Sequence, residues 1–412
     1  MVALVLLGSC IRPEGAQPPG APPPAADPAL ADPPVRVGLV VGAGSVTLGG
    51  GSALLVIDAD GAPLAEIPAG EGWRAVRSGR GVAVASPAGW TSPSAARIQL
   101  RPAGAGSFTR VGTRDYRGVV TIESDRTGLT AINRLGLEEY LAGVVGAEMG
   151  RREPREAEAL RAQAIVSRTY ALRNMGRWRA QGFDFYATVA DQVYLGVGNE
   201  NALGRDAVAA TRGRVLTWGG APIDAFFFST CGGRTAEGTE VFRNASRPYL
   251  RSVSDTDRSG AAYCAPSPRF AWREEWTGEA LRDIMRRNLP AAAHIDESRV
   301  TRVRDVRITA RSGSGRVALL AVSLPDGDVS VEGPQVRQVL RNAAGDILRS
   351  NAFTLRAETG GGRVTRLVAE GNGNGHGVGF CQWGAVGRAR AGQGHEDMLA
   401  AYYPGATLER YY

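Results

Sequence analysis

The stretch LEEYLAGVVGAEM, at residues 137–149, contains a glutamate whose position could support acid–base chemistry. Its apolar residues recur at helical spacing, and at about 100° per residue Glu148 falls on the same side as Leu137 and Leu141. A carboxylate that faces a core is costly unless it is paired or neutral, and an apolar setting raises its pKa toward the range of a general acid. Glu148 is therefore a candidate general acid, unless the helix ends at Gly146 and leaves Glu148 on an exposed turn.

The next stretch, REPREAEALRAQAIVSRTYALRNM, predicts a longer helix that opens at Pro154, a residue type favoured in the first helical turn. Four polar side chains fall on one side of it: Gln163, Ser167, Tyr170 and Asn174. Such a stripe can line a cleft that holds a hydroxylated ligand. A solvated polar face explains the same pattern equally well.

The segment GNGNGHGVGFCQWGA, at residues 371–385, is rich in glycine but lacks the spacing of a dinucleotide-binding or P-loop motif. A Cys381–His376 nucleophile pair has no evident third residue to orient it. Glycines at this density let the backbone lie close to a flat ligand, with His376, Gln382 and Trp383 as polar and stacking groups. The alternative is a glycine-bearing turn with Trp383 in the core.

The cysteines and histidines do not form a recognisable metal motif. No C-x-x-C or H-E-x-x-H spacing occurs among Cys10, Cys231, Cys264, Cys381 and the three histidines, so no metal site is expected from spacing. If the protein is exported, Cys231 and Cys264 make the favoured disulfide, because Cys381 lies inside the glycine-rich segment. A pairing that involves Cys381 stays open.

The N-terminal residues indicate export. The apolar run MVALVLLGSC ends in a sequence that looks like a lipoprotein cleavage box, with Cys10 as the candidate lipidation site. Residues 13–34 contain nine prolines, a composition typical of an extended spacer. The run is short and lacks a basic leader, so an upstream start or an accidental match stays open. The expected location is the periplasm or cell envelope, with a lipid anchor as the membrane attachment.

Composition and patterning predict an α+β protein with mixed β-sheets and a few helices around a central cleft. The formal net charge is +7, but the basic residues are scattered arginines, which argues against a nucleic-acid partner. Short alternating strands fill the region from Val35 to about Asn133, and helical periodicity begins after it. We therefore expect a leader and linker at residues 1–35, a β-rich module at 36–110 and a catalytic domain at 111–412.

Six stretches in order resemble the stage II sporulation protein D family, also called the SpoIID/LytB domain. They are LEEYLAGVVGAEM, LRAQAIVSRTYAL, DAFFFSTCGGRT, RPYLRSVSDTD, GHGVGFCQWGA and AAYYPGATL, within residues 115–412. The resemblance implies a lytic transglycosylase that cleaves peptide-free peptidoglycan strands, with the family's catalytic glutamate at Glu148. It also implies an amidase acting upstream as a possible functional partner.

The resemblance, together with the polar stripe, gives a set of expected substrate-binding residues: Gln163, Arg168, Tyr170, Ser229, Thr230, His376 and Gln382. Some relatives bind zinc through a histidine before the Ser-Thr-Cys-Gly-Gly motif and two cysteines. Phe228 stands at that position here, which argues against zinc at Cys231 and Cys264 and favours their disulfide, so no cofactor is expected. Cys381 stands where serine is usual.

Two other functions stay open. LytB-type relatives are described as amidase enhancers, so the chain could bind glycan without cutting it. Hydrolysis by water would need a second carboxylate, for which the candidates are Asp184, Asp191 and Glu240.

Overall fold

The structure is a computed structural model that describes residues 32–412. The candidate lipidation site Cys10 and most of the proline-rich spacer lie outside the described residues. Within residues 32–412, no helix is long and apolar enough to span a bilayer.

The N-terminal strands form two sheets whose residues alternate between buried and exposed positions, as half-buried strands do. The seven-stranded sheet, in spatial order β12-β1-β11-β10-β7-β3-β4, consists of β1 (Pro34–Ala43), β3 (Leu54–Ile57), β4 (Pro63–Ile67), β7 (Arg97–Pro102), β10 (Val119–Ser124), β11 (Leu129–Gly136) and β12 (Phe185–Tyr186). The five-stranded sheet, in spatial order β6-β5-β2-β8-β9, consists of β2 (Ser45–Gly49), β5 (Gly72–Ser78), β6 (Gly81–Ala85), β8 (Thr109–Val111) and β9 (Arg114–Tyr116).

Strand pairing continues across residue 110, where the sequence places a domain boundary. β7 pairs with β10 antiparallel, with Ile98 opposite Ile122, and β1 pairs with β11. The side chains of these strands share one hydrophobic core with the helices that follow them. The β-rich region and the helical region are thus packed together rather than joined only by a linker.

The α-helices of the described chain are α1 (Leu137–Met149), α2 (Ala157–Asn174), α3 (Ala202–Ala210), α4 (Gly238–Val241), α5 (Gly278–Ala293), α6 (Gly333–Val339), α7 (Gln382–Arg390) and α8 (His395–Tyr402). Short 3-10 turns occur at Pro154–Glu156, Arg179–Gln181, Val197–Asn199 and Glu297–Arg299. The predicted helices α1 and α2 are confirmed, and Pro154 opens the turn that leads into α2.

A second core lies within residues 272–369, which the sequence did not distinguish as a unit. Helices α5 and α6 pack there on two three-stranded sheets, in spatial order β16-β21-β20 and β17-β18-β19. These strands are β16 (Ala271–Thr277), β17 (Asp305–Arg311), β18 (Val317–Leu324), β19 (Gly327–Glu332), β20 (Phe353–Gly360) and β21 (Arg363–Asn372).

Two small sheets complete the α+β architecture, which confirms the predicted fold class. One consists of β13 (Arg214–Trp218), β14 (Ala221–Pro222) and β23 (Thr407–Arg410). The other pairs β15 (Phe227–Phe228) with β22 (Phe380–Cys381) in parallel. This pairing brings the Ser-Thr-Cys-Gly-Gly segment beside the start of α7, although they are about 150 residues apart in the sequence.

Candidate functional site

Glu148 lies in the last turn of α1, which continues to Met149. The alternative in which the helix ends at Gly146 is therefore wrong. Gly146 is a packing position: a Cβ there would lie 2.0 Å from the carbonyl oxygen of Asn199. Because Gly146 has no side chain, the backbone at Asn199 can lie close to α1 without interrupting the helix. The partly buried Glu148 side chain, two residues later, then lies against the segment that follows α2.

Two neutral groups hold the Glu148 carboxyl. The backbone N–H of Val193 donates to Oε1 at 3.0 Å, and the Gln382 side-chain amide donates to Oε2 at 3.2 Å. Within residues 32–412, Glu148 forms no ion pair. Burial raises the pKa of the Glu148 carboxyl above its ordinary value, while these two hydrogen bonds offset part of that rise. The carboxyl can therefore hold a proton at a higher pH than an exposed glutamate.

A chain of side-chain amides leads from Glu148 into the core. Gln382 also donates to Gln163 at 3.4 Å, and Gln163 donates to Ser167 at 2.9 Å. Gln192 donates to the Ser167 carbonyl at 3.3 Å. Gln163 and Ser167 have no exposed surface, so this part of the polar stripe is not a solvated face. The structure brings Gln163 and Gln382 together at Glu148, with Gln163 acting through Gln382.

Tyr170 is also nearly buried, and its hydroxyl donates to Asp191 at 3.2 Å. Asp191 accepts further hydrogen bonds from the Trp178 indole at 2.8 Å and the Tyr186 backbone N–H at 2.9 Å. In this structure Tyr170 therefore ties α2 to the segment that carries Val193, the donor to Glu148.

Ser229 and Thr230 follow β15, and Ser229 contacts α7, the helix that begins at Gln382. The backbone N–H of Trp383 donates to the Ser229 carbonyl at 3.0 Å. Ser229 is half-buried, whereas Thr230 is 1% exposed and shares hydrogen bonds with the hydroxyls of Ser229 and Ser267. Ser229 thus keeps exposed surface for a ligand, and Thr230 is engaged within the protein.

His376 is held by the backbone on both sides of its ring. The Val378 N–H donates to Nδ1 at 3.1 Å, so the proton lies on Nε2, which donates to the Phe227 carbonyl at 2.9 Å. The rings of Phe226, Phe228 and Phe242 surround it. Burial lowers the pKa of His376 to about 4, against the opposing effect of the Phe227 carbonyl. With both nitrogens engaged, His376 anchors the glycine-rich loop and has no free nitrogen for substrate, in contrast to the expectation from sequence.

This burial predicts a pH dependence of stability. Between the unfolded value of 6.5 and the folded value of about 4, the unfolded chain binds a proton on His376 that the folded chain does not. The stabilisation is fully present above the unfolded-state pKa and is lost as the pH falls toward the folded-state pKa. The free energy of unfolding should fall by on the order of 3 kcal/mol over this range. Denaturant unfolding across this pH range should show that the free energy of unfolding falls less steeply with pH in His376→Gln than in the parent chain. An unchanged slope would contradict this role, and His294→Asn, which alters an exposed histidine, is the control.

The Arg168 side chain has no surface that a substrate could contact, which corrects the expectation from sequence. Its side chain has no exposed surface, and its guanidinium donates to both carboxylate oxygens of Glu138, at 2.8 and 2.7 Å. It also donates to the carbonyls of Val208 and Arg214, each at 3.2 Å. Arg168 is therefore a structural residue that joins α1, α3 and β13.

Sequence reasoning missed two groups near Glu148. The Val193 N–H is a backbone group with no sequence signature. Arg152 follows the end of α1, four residues after Glu148 in the sequence, and its guanidinium lies over the Trp383 ring, 4.5 Å from its centroid. The sequence singled out Trp383 as a stacking group, but nothing in the spacing indicated that a half-buried arginine would cover it.

The predicted Cys231–Cys264 disulfide is not formed: both cysteines are free, and their sulfur atoms are 3.4 Å apart, well beyond a bond of about 2.05 Å. Cys381 and Asp255 complete a buried cluster with them. The sequence could not show this, because the four residues come from separate segments.

Two family models match parts of the chain. Residues 125–218, which include Glu148, match the family model described as stage II sporulation protein (SpoIID). Residues 262–379, which include the whole of the second core, match a domain of unknown function (DUF8618).

Three relatives have informative names. Stage II sporulation protein D of Bacillus subtilis (strain 168) is 28% identical over 327 residues, covering 76% of this chain and 84% of that protein. The protein of the same name from Bacillus amyloliquefaciens is 29% identical over 307 residues, covering 70% and 78%. The amidase enhancer of Bacillus subtilis (strain 168) is 27% identical over 288 residues, covering 62% of this chain and 38% of that protein. The chain is thus similar to stage II sporulation protein D over 70–76% of its length, and its residues 125–218 match the SpoIID family model.

Proposed function

We propose that the protein acts on the bacterial cell wall as a lytic transglycosylase that cleaves peptide-free glycan strands, with Glu148 as the catalytic residue. The observation that carries the proposal is the Glu148 carboxyl itself, partly buried, without an ion-pair partner among residues 32–412, and held by Val193 and Gln382. A raised pKa suits a group that must donate a proton near neutral pH.

In the proposed reaction one carboxyl group acts twice. Protonated Glu148 donates its proton to the glycosidic oxygen as the bond to the anomeric carbon of muramic acid breaks. The Glu148 carboxylate then takes the proton of the same sugar's C6 hydroxyl, whose oxygen bonds to the anomeric carbon. Glu148 ends protonated, as it began, and the products are a free hydroxyl on glucosamine and an anhydro ring on muramic acid.

The surroundings of the other candidate carboxylates favour this route over hydrolysis by water. Asp184 forms a bidentate pair with Arg36, with bonds of 3.2 and 2.9 Å. Asp191 has no exposed side-chain surface and accepts hydrogen bonds from Tyr170 and Trp178. Glu240 accepts hydrogen bonds from Ser312 and Ser314. These contacts favour structural roles for the three carboxylates over the activation of a water molecule, which an inverting hydrolase requires.

The proposal predicts a specific pH–rate profile. Cleavage should fall as the pH rises through the raised pKa of Glu148, because the acid must be protonated. The Gln382 amide favours the carboxylate form, so Gln382→Leu should move this alkaline limb to higher pH. The measurement is the initial rate of glycan-strand shortening across pH. The control is Gln163→Leu, which leaves the contact between Gln382 and Glu148 in place and should move the alkaline limb less. If Gln382→Leu had its alkaline limb at the same pH as the parent chain, the assignment of Glu148 as the general acid would be contradicted.

A second candidate function is supported by the amidase enhancer among the relatives. In that case the protein would bind glycan and assist an amidase without cutting the strand. Partial burial of Glu148 without a charged partner favours catalysis, since a binding site gains nothing from an unpaired carboxyl in an apolar setting. Glycan binding that disappears in Glu148→Gln, with no cleavage by the parent chain, would favour the binding role.

The proposed substrate requires export, which we infer from the sequence around Cys10. A lipid anchor at Cys10 followed by the proline-rich spacer would hold the folded body away from the membrane and within reach of the wall.

A further inference from the structure

Arg152 lies beside the candidate site, at the start of α7. Its guanidinium lies over the Trp383 ring, 4.5 Å from the centroid. Trp383 directly follows Gln382, whose amide donates to Glu148 Oε2 at 3.2 Å. Arg152 and Glu148 therefore contact two consecutive residues at the first turn of the same helix.

No acidic side chain within residues 32–412 forms an ion pair with Arg152. The two carboxylates that follow it in the sequence pair with other arginines. Glu156 is buried and accepts from Arg390 Nε at 2.8 Å, and Glu153 pairs with Arg155 at 2.7 Å. The Nε atom of Arg152 is buried and has no hydrogen-bond partner in the described part of the chain.

The neighbouring arginines have carboxylate partners, which sets Arg152 apart from them. Helices α2 and α7, which lie on either side of the site, contain five arginines, and each forms an ion pair. The pairs are Arg161 with Glu158, Arg168 with Glu138, Arg173 with Asp224, Arg388 with Asp255 and Arg390 with Glu156. A half-buried arginine between these helices that has no such partner is available to bind an anionic ligand.

The surroundings of Arg152 disfavour its charge when no ligand is bound. Burial lowers the pKa of its guanidinium, the charge of Glu156 raises that pKa, and the charge of Arg390 lowers it again. The Trp383 ring attracts a cation through its face but carries no net charge. A partly desolvated cation of this kind is stabilised when a bound ligand supplies an anion.

We propose that Arg152 binds the free lactyl carboxylate of muramic acid and thereby makes the site selective for strands without peptides. In muramic acid the lactyl group is an ether on C3, and the stem peptide is joined to its carboxyl by an amide bond. Removal of the peptide leaves a carboxylate, whereas an intact strand presents a neutral amide at the same place. Arginine can hold a carboxylate through two parallel hydrogen bonds. The inference rests on the proposed action on peptide-free glycan and names the residue that would recognise it.

The position of Arg152 relative to Glu148 fits this assignment. In the proposed reaction Glu148 protonates the oxygen on C1 of muramic acid, and C3 with its lactyl group belongs to the same sugar ring. The two protein groups are likewise close neighbours, since they contact Gln382 and Trp383. Gly150, with a φ of 65°, ends α1, so that Arg152 leaves the helical path and reaches Trp383. Arg152 is a specificity-determining residue in this account, and the proton transfers stay with Glu148.

The test compares two peptide-free strands that differ only at the lactyl carboxyl, which is either free or converted to its N-methyl amide. The amide removes the charge without adding the bulk of a peptide. Binding is measured on the full chain carrying Glu148→Gln, so that cleavage does not consume the strand. We expect this chain to bind the free-acid strand roughly 10- to 100-fold more tightly, the factor that a hydrogen bond to a charged group supplies. Adding Arg152→Gln should weaken binding of the free acid until the two affinities are equal, and should leave the affinity for the amide unchanged.

The matched control is Arg151→Gln, which removes the exposed arginine next to Arg152 and should keep the full preference for the free acid. Equal affinity for the two strands before Arg152 is changed, or a preference that survives in Arg152→Gln, would overturn this inference and leave the glycan-cleaving function standing. A parent chain that neither binds nor cuts either strand would overturn the proposed function and this inference with it.

A second measurement leaves Arg152 unchanged and decides the question if Arg152→Gln does not fold. Phenylglyoxal reacts with accessible guanidinium groups, and mass spectrometry of peptides locates the modified arginine. The free-acid strand should protect Arg152 from phenylglyoxal, while the amide strand protects it at least tenfold less at the same concentration. Equal protection by the two strands would contradict the contact with the carboxylate.

Discussion

Glu148→Gln is expected to slow cleavage of peptide-free glycan about 10²- to 10⁴-fold, the range that a positioned general acid contributes. Glutamine has nearly the same shape and can still accept the Val193 N–H, but it cannot donate a proton to the glycosidic oxygen. Binding of the glycan should persist, because the change removes no charged contact to the strand. The measurements are the rate of strand shortening and co-sedimentation with the glycan.

Glu139→Gln is the matched control for this variant. Glu139 lies on the same helix, α1, and is exposed. Glu139→Gln should cleave glycan at a rate within about twofold of the parent chain, because surface substitutions of this kind change stability by less than about 0.5 kcal/mol. If Glu148→Gln cleaved glycan at the same rate as Glu139→Gln, Glu148 would not be the catalytic residue.

Arg168→Met is expected to lower the free energy of unfolding by about 3–5 kcal/mol, because it leaves the Glu138 carboxylate buried without its cation. Burial by itself would raise the pKa of Glu138, but the hydrogen bonds and charge of Arg168 outweigh this effect and lower it. The Glu138 carboxyl is therefore ionised in the folded protein. The double variant Glu138→Leu/Arg168→Met should recover much of the loss, since it removes both charges. Denaturant unfolding measures all three chains.

The exposed pair of Arg243 and Glu332 provides the comparison. Its side chains are 80% and 61% exposed, so Arg243→Met should change the free energy of unfolding by less than about 1 kcal/mol. If Arg168→Met changed stability by as little as Arg243→Met, the buried pair would not have the structural role assigned to it. If the double variant were no more stable than Arg168→Met, the loss would have to come from packing.

The parts of the molecule that sequence predicts well are those with local patterns. The apolar repeat of residues 137–149 placed Glu148 on the buried side of a helix, and the structure has that helix with those bounds. At about 100° per residue Glu138 projects away from this side of the helix. It is buried as well, because Arg168 and Tyr412 contact its carboxylate from other elements. A helical projection describes one face at a time and contains no information about a second packing partner.

The helix α7 shows why other elements were missed. Its sequence contains Gly384 and Gly387, and glycine in a helix interior is unfavourable by about 1 kcal/mol relative to alanine. Packing explains both positions: a Cβ at Gly384 would meet Asp255, and one at Gly387 would lie 2.0 Å from the Tyr263 carbonyl oxygen. Tertiary contacts therefore determine this helix.

The cysteine cluster was missed for a related reason. Motif spacing detects ligands that are close in sequence, whereas Cys231 and Cys381 are separated by 150 residues and meet through the parallel pairing of β15 and β22. The resemblance to the family directed attention to Phe228, which is not part of the buried cluster of Cys231, Asp255, Cys264 and Cys381. Only the fold shows that Asp255 and Cys381 are the relevant neighbours.

The chemical nature of the ends that the full chain produces from peptide-free glycan strands decides between transglycosylation and its alternatives. Mass spectrometry should show muramic acid ends that are lighter than a reducing end by one water molecule, formed by the parent chain and by Glu139→Gln but not by Glu148→Gln. Reducing ends would show that water attacks the anomeric carbon, and strands that stay intact while the protein sediments with them would show a glycan-binding protein; either result would contradict the mechanism assigned to Glu148.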